Sequence, residues 1–119
     1  MKYVFLLSLL LLATCENTDA PNDEMVKLAG IPECIQARID EIKSEPVWNP
    51  PAEIYSYNYK GRTVYYIPQH CCDIPSELTD ARCNYICSPD GGIAGGGDGR
   101  CADFFTTAKN GRLVWKDNR

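Results

Sequence analysis

The sequence predicts an α+β domain: one N-terminal helix followed by a small antiparallel β-meander, stabilised by disulfides. Three observations carry this expectation. Isoleucines recur at helical spacing between Pro32 and Ser44. Tyrosine-rich alternating segments flank a tight turn from Ile54 onward. Six cysteines lie beyond residue 33. A helix followed by a run of strands, rather than alternating strands and helices, is the α+β pattern.

Taken in order, Ile35, Ile39 and Ile42 line one face of the helix, while Arg38, Glu41 and Lys43 face elsewhere. Pro32 suits the first helical turn, where its missing N–H has no partner to lose. Pro46 ends the run, because the residue before a proline is pushed out of the helical region. Residues 45–52, with three prolines, read as an extended connector whose Trp48 covers one edge of the core. Ile54–Tyr59 alternates, Lys60-Gly61 turns, and Arg62–Ile67 alternates back, which is a hairpin. A two-residue loop, or a three-residue loop with Gly61 in a left-handed bulge, shifts the register by one. In either register Tyr55 and Tyr57 share a face. Leu78–Asp80 and Tyr85–Cys87 form a second hairpin around residues 81–84, and Asn110-Gly111 precedes a short last strand, Arg112–Lys116. Tyr55, Tyr57, Tyr59, Tyr65 and Tyr66 read as half-buried packing, since so small a domain has few other large apolar residues.

The first residues read as an address. Lys2 precedes ten nearly unbroken apolar residues, Val4–Ala13. A membrane-spanning helix needs about 20 such residues, whereas a signal-peptide core needs roughly 7–15. Leu12-Ala13-Thr14-Cys15 resembles a bacterial lipobox, with Thr14 where Gly, Ala or Ser is commoner. The expected organisation is therefore a lipoprotein signal peptide over 1–14, lipid attachment at Cys15, a flexible acidic tether over 15–26, and one cysteine-rich domain over 27–119. The tether spans on the order of 18 Å as a coil. Removing Lys2 with the signal leaves 11 basic against 16 acidic residues, a net charge of −5. That balance argues against nucleic acid, whose binding proteins cluster Lys and Arg against phosphates. It also argues against a basic patch on an anionic bilayer. Contact with the membrane is expected through acyl chains alone. Glu16 and Asp19 loosely resemble a surface-export signal, so the expected place is the bacterial cell envelope, at the outer membrane or cell surface rather than the inner membrane.

With Cys15 set aside, Cys34, Cys71, Cys72, Cys83, Cys87 and Cys101 remain. In an oxidising compartment these are most simply three disulfides. Fifteen pairings exist for six cysteines, and excluding a bond between the neighbours Cys71 and Cys72 leaves twelve. Those neighbours point to opposite sides of an extended chain, which suggests that one bridges to Cys34 and the other to the second hairpin or the glycine loop. Cys83 sits at a turn position where glycine ordinarily takes a left-handed conformation, which also suggests an unpaired Cys83. Zinc held by His70, Cys71, Cys72, Cys83 and Cys87 is a rival use, but there is no C-x2-C pair. His70 is the only histidine, and adjacency in sequence to Cys71 does not make it a base for that thiol. No C-x-x-C redox pair exists. No catalytic residue and no cofactor is expected.

The most unusual composition is Pro89–Gly99, with Cys101 just beyond it. Asp90, Gly91, Gly92, Gly97, Asp98 and Gly99, with Asp103, form the candidate binding loop. Glycine permits positive φ and close backbone approach, which suits a ligand cradle as well as a tight loop. A phosphate loop is excluded, because no Lys-Ser/Thr follows and Asp98 repels phosphate. Asp90, Asp98 and Asp103 supply the hard oxygens calcium prefers, yet the EF-hand pattern is missing. A structural loop is the simpler reading.

Taken together, Pro32-Glu-Cys34-Ile35, Tyr57-x-Tyr59-x-Gly61-x-x-Val64-Tyr65-Tyr66, Cys71-Cys72-Asp73, Ile86-Cys87-x-Pro89-Asp90-Gly91-Gly92, Gly97-Asp98-Gly99-x-Cys101-x-Asp103-Phe104 and Trp115-Lys116-Asp117 carry a resemblance. Over residues 31–117 the chain resembles a family of small, uncharacterised, cysteine-rich bacterial lipoproteins with a domain of unknown function. Cys83 departs from that pattern, where Gly is expected. The resemblance implies an exported, tethered domain and supplies no catalytic roles. Cys87-Ser-Pro-Asp-Gly91 also resembles the Cys-x-x-Asp-Gly run of Kazal-type protease inhibitors, without the Tyr and Asn that follow it there. The expected function is a noncatalytic, membrane-tethered module that binds a protein or small ligand. A calcium module and an inhibitor-like module are the alternatives.

Overall fold

The computed structural model describes residues 30–71 and 73–119. The expected signal peptide, Cys15, the tether and Cys72 lie outside the described residues. Helix α1 (Glu33–Ser44) starts one residue after Pro32, which stands at the N-cap position. The Pro32 carbonyl accepts the N–H groups of Ile35 and Gln36, both at 3.0 Å. Ile35, Ile39 and Ile42 are buried, as their spacing predicts. At the other end Arg119 does the capping. Its guanidinium donates to the carbonyls of Lys43 (2.8 Å) and Glu45 (3.1 Å), two of the groups a helix end leaves unpaired. The buried Asp117 carboxylate holds that guanidinium at 2.7 Å, and Arg119 in turn keeps the Asp117 pKa below its ordinary value.

Five strands follow: β1 (Glu53–Tyr59), β2 (Arg62–Ile67), β3 (Glu77–Asp80), β4 (Tyr85–Cys87) and β5 (Lys109–Lys116). They form one antiparallel sheet in the order β4-β3-β2-β1-β5. Strands β1 to β4 are the expected meander, but β5 returns to pair with β1 on the far side. The first hairpin uses the two-residue loop: Lys60 and Gly61 have φ of 50° and 78°, as a type I′ turn requires. That fixes Tyr57 opposite Val64 and Tyr55 opposite Tyr66. Asn110 and Gly111 lie inside β5 rather than before it. The pairing with β1 is irregular there, Asn110 has φ 56°, and a side chain at Gly111 would meet the Tyr57 ring at 2.5 Å. A turn signal in the sequence is thus a bulge that makes room for an aromatic ring.

The sheet is covered on both faces. On one, Ile35 and Ile39 of α1 pack on Ile54, Tyr65 and Ile67, and Trp48 with Ile42 and Ala52 closes the edge. On the other, Tyr59, Val64, Tyr66, Leu78 and Cys87 pack against Phe104 and Cys101. Phe104 opens a second helix, α2 (Phe104–Thr107), too short for any periodicity to announce. Its ring is 0% exposed and meets Tyr57, Tyr59 and Tyr66 at centroid distances of 5.1, 5.3 and 5.7 Å. Such edge and tilted pairings add to the area buried.

Two disulfides are present among the described residues, Cys34–Cys83 and Cys87–Cys101. The expectation that Cys71 or Cys72 bridges to Cys34, and the other to the second hairpin or glycine loop, is therefore corrected. Those four cysteines take one another, because α1 crosses the sheet beside the β3–β4 turn. Cys83 has the left-handed φ expected of its turn position (60°), but it is paired rather than free. By chain-entropy reasoning the longer Cys34–Cys83 closure contributes about 4 kcal/mol and the shorter one about 3 kcal/mol.

Phe104→Ala is expected to lower the unfolding free energy by about 3–5 kcal/mol. Its exposed neighbour Phe105→Ala should cost less than about 1 kcal/mol. Urea melts of the two variants check the difference.

Candidate functional site

The residues between Cys87 and Cys101 form a knot of turns rather than an open cradle. The Asp98 N–H donates to the Ser88 carbonyl and the Gly97 N–H to the Gly91 carbonyl, both at 3.0 Å. Gly91 N–H reaches the Gly95 carbonyl (3.2 Å), and Ser76 N–H reaches the Asp90 carbonyl (3.0 Å). Two glycines are required by contact: a Cβ at Gly97 would sit 1.9 Å from the Ser88 oxygen, and one at Gly91 2.7 Å from the Ile74 oxygen. Gly92 and Gly99 also have φ of 75° but face open space, so only their backbone conformation calls for glycine.

The three candidate aspartates are spent on three different tyrosines. Asp90 accepts the Tyr66 hydroxyl (2.9 and 3.0 Å), Asp98 the Tyr85 hydroxyl (2.8 Å) and Asp103 the Tyr59 hydroxyl (2.6 Å). These are charge-assisted bonds between the sheet and the loop. The Arg100 N–H and the Tyr85 hydroxyl hold the Asp98 pKa below its ordinary value, and the Tyr59 hydroxyl does the same for Asp103. Burial, followed by the bond to Asp90, pushes the Tyr66 phenol well above its ordinary value; burial, followed by the bond to Asp103, raises Tyr59. A fourth pair joins Tyr55 to Glu53, with Lys116 on the same carboxylate at 2.8 Å. The bond to Glu53 pushes Tyr55 up to about 12. The carboxylates offered as calcium ligands are separately partnered, and no group of three His, Cys, Asp or Glu suited to a metal occurs among the described residues. In the zinc set, Cys83 and Cys87 are taken by disulfides with other partners.

Beside the loop lies a cleft of about 230 Å³ lined by Tyr66, His70, Cys71, Ile74, Ser76 and Asp90, among others. It gathers the only histidine with a serine, a cysteine and a carboxylate. The Ser76 hydroxyl, however, donates to the Asp90 carbonyl (3.1 Å) and accepts its N–H (3.2 Å), which holds it as a structural tie. The His70 ring packs on Trp48 with centroids 4.5 Å apart. In the inhibitor-like run Cys87, Ser88 and Pro89 are buried, and Asp90 and Gly91 are half-buried.

Sequence reasoning passed over the feature the loop displays most openly. Ile93, at its apex between Gly92 and Gly95, is 93% exposed. Ile74, on the cleft wall, is 41% exposed, and Phe105, edge-on to Tyr66 at 5.5 Å, is 55% exposed. The signal for Ile93 was available: a lone branched apolar residue inside an otherwise glycine- and aspartate-rich stretch.

Residues 40–117 match the family model described as Domain of unknown function (DUF6970), more than half of the chain. The chain belongs to that family. The matched segment contains the whole sheet, the cleft and the glycine loop, and begins within α1, after Cys34. Searches of curated proteins and of solved structures found no match.

Gly97→Ala is expected to cost about 2–5 kcal/mol, from left-handed strain plus a backbone clash, against about 1–2 kcal/mol for Gly92→Ala, which meets only the strain. Chemical melts of the two variants test this. The lowered carboxylates (Glu53, Asp80, Asp98, Asp103 and Asp117) contribute stability that is complete above their unfolded pKa, about 4, and is lost as pH falls through the folded values. The raised tyrosines contribute stability complete below about 10 and lost as pH rises through their folded values, about 12 for Tyr55. Melting temperature against pH should therefore be flat between these limits and fall beyond both.

Proposed function

We propose that this member of the DUF6970 family is a noncatalytic interaction module, held in the bacterial cell envelope by acyl chains on Cys15 and presenting its glycine-loop face to a partner. One observation carries the reading: an isoleucine at the apex of a hydrogen-bonded, disulfide-closed loop is held almost wholly in solvent. A free protein gains nothing from exposing such a side chain, whereas a preorganised apolar anchor loses little freedom on binding. Two further partly exposed apolar side chains lie by the cleft, Ile74 on its wall and Phe105 against the lining Tyr66. Support against catalysis comes from the commitments of the polar groups, since Ser76 and Asp90 are used in fixing the loop. The tether rests on the lipobox-like run ending at Cys15. Among the described residues no helix is long and apolar enough to cross a membrane.

A photoreactive residue placed at 93 in intact cells is expected to give one dominant crosslinked protein, absent when the same residue replaces Arg62 on the hairpin; equal labelling from both positions would contradict the reading. Ile93→Asp should abolish the crosslink formed from position 74 without moving the melting temperature. The anchor is tested separately: the wild-type chain should partition into a detergent phase and Cys15→Ser should stay in the aqueous phase.

A further inference from the structure

The two disulfides among the described residues differ in access. Cys87 and Cys101 are 1% and 3% exposed, inside the core with Leu78 and Phe104. Cys34 and Cys83 are half-buried, and both line a second cleft of about 260 Å³ between α1 and β3. Ile35 and Ile67 give that cleft apolar walls, and Arg38 and Glu77 lie along it. The Arg38 guanidinium spans Glu41 (2.7 Å) and Glu77 (3.0 Å). Thiol–disulfide exchange requires a thiolate to reach a sulfur and a sulfur able to leave as thiolate. Only one of the two bridges offers the first.

We infer that the Cys34–Cys83 bridge is a thiol-exchange site, and that its cleft admits small thiols, aminothiols above all. Arg38 is shared between Glu41 and Glu77, which leaves the charges along the cleft net negative and favours an ammonium group on the incoming molecule. Cys34 lies in the first turn of α1, at the positive end of the helix dipole, which favours a thiolate, so Cys34 is the leaving group. The thiolate attacks Cys83 Sγ, a new S–S bond forms there, the Cys34–Cys83 bond breaks, and Cys34 departs with the electron pair and takes a proton from water. A second thiolate attacks the mixed disulfide at the small molecule's sulfur and releases Cys83. The protein gains two electrons and two thiols are oxidised to their disulfide. The consequence is local: the first turn of α1 is released from the β3–β4 turn, while the glycine loop keeps its own staple.

The test uses the full chain incubated with cysteamine at about pH 8, near the ordinary thiol range, then alkylated at intervals and mapped peptide by peptide. Cys34 and Cys83 should be labelled at least about tenfold faster than Cys87 and Cys101, through an intermediate carrying cysteamine on Cys83. At equal thiolate concentration cysteamine should outpace mercaptopropionate, a thiol of similar size and opposite charge. Equal labelling rates of the two bridges, or earlier labelling of Cys87 and Cys101, would overturn the inference, since both mean that reduction follows global unfolding or another route.

Discussion

The fold depends on how one face of the sheet holds the chain from Ser88 to Asp103. Glycine-rich sequence has high conformational entropy when unfolded, and fixing it needs compensating contacts. Here they come from tyrosine hydroxyls of the sheet that donate to Asp90, Asp98 and Asp103, with Phe104 packed among the rings below. The Cys87–Cys101 bridge closes the same segment. Each aspartate anchors a different part of the loop, so the segment is pinned along its length. Remove that face and the sheet keeps only the α1 side of its core, too little apolar burial for a domain of this size.

The aromatic stripe and the glycine loop look like separate features in the sequence, one for packing and one for ligands. In the structure they meet: Tyr59 and Tyr66 of the stripe bury their rings and give their hydroxyls to Asp103 and Asp90, while Tyr85, from outside the stripe, reaches Asp98. This is also why the calcium reading finds no convergent ligand set. Each of the three carboxylates faces a different tyrosine, so they do not converge on one point.

What was legible followed from local physics. The isoleucine spacing of α1, the Lys60-Gly61 turn and the 81–84 turn each depend on a few neighbouring residues. What was not legible depended on partners far apart in the chain. The pairing of Cys34 with Cys83 spans 49 residues, and no spacing rule selects it. The return of β5 to β1 could not be read because Asn110-Gly111 signals a turn and is instead a bulge dictated by the Tyr57 ring. Helix α2 is a single turn whose position is set by the burial of Phe104. Of the candidate site, the glycines and aspartates were legible, with a structural loop as their simpler reading; Ile93, the apolar residue the loop shows to solvent, was not singled out.

The two disulfides among the described residues differ in what they hold. One is sealed under the loop that carries the proposed contact surface; the other joins α1 to a turn at the rim of a cleft. Changes at the second leave the loop's own ties in place. The glycine loop is a built element and not a flexible one. Amide hydrogen exchange at Gly97 and Asp98, whose N–H groups donate to Gly91 and Ser88, tests it most directly. Protection comparable to that of the β2 amides is expected. Exchange at the rate of an unstructured chain would contradict it.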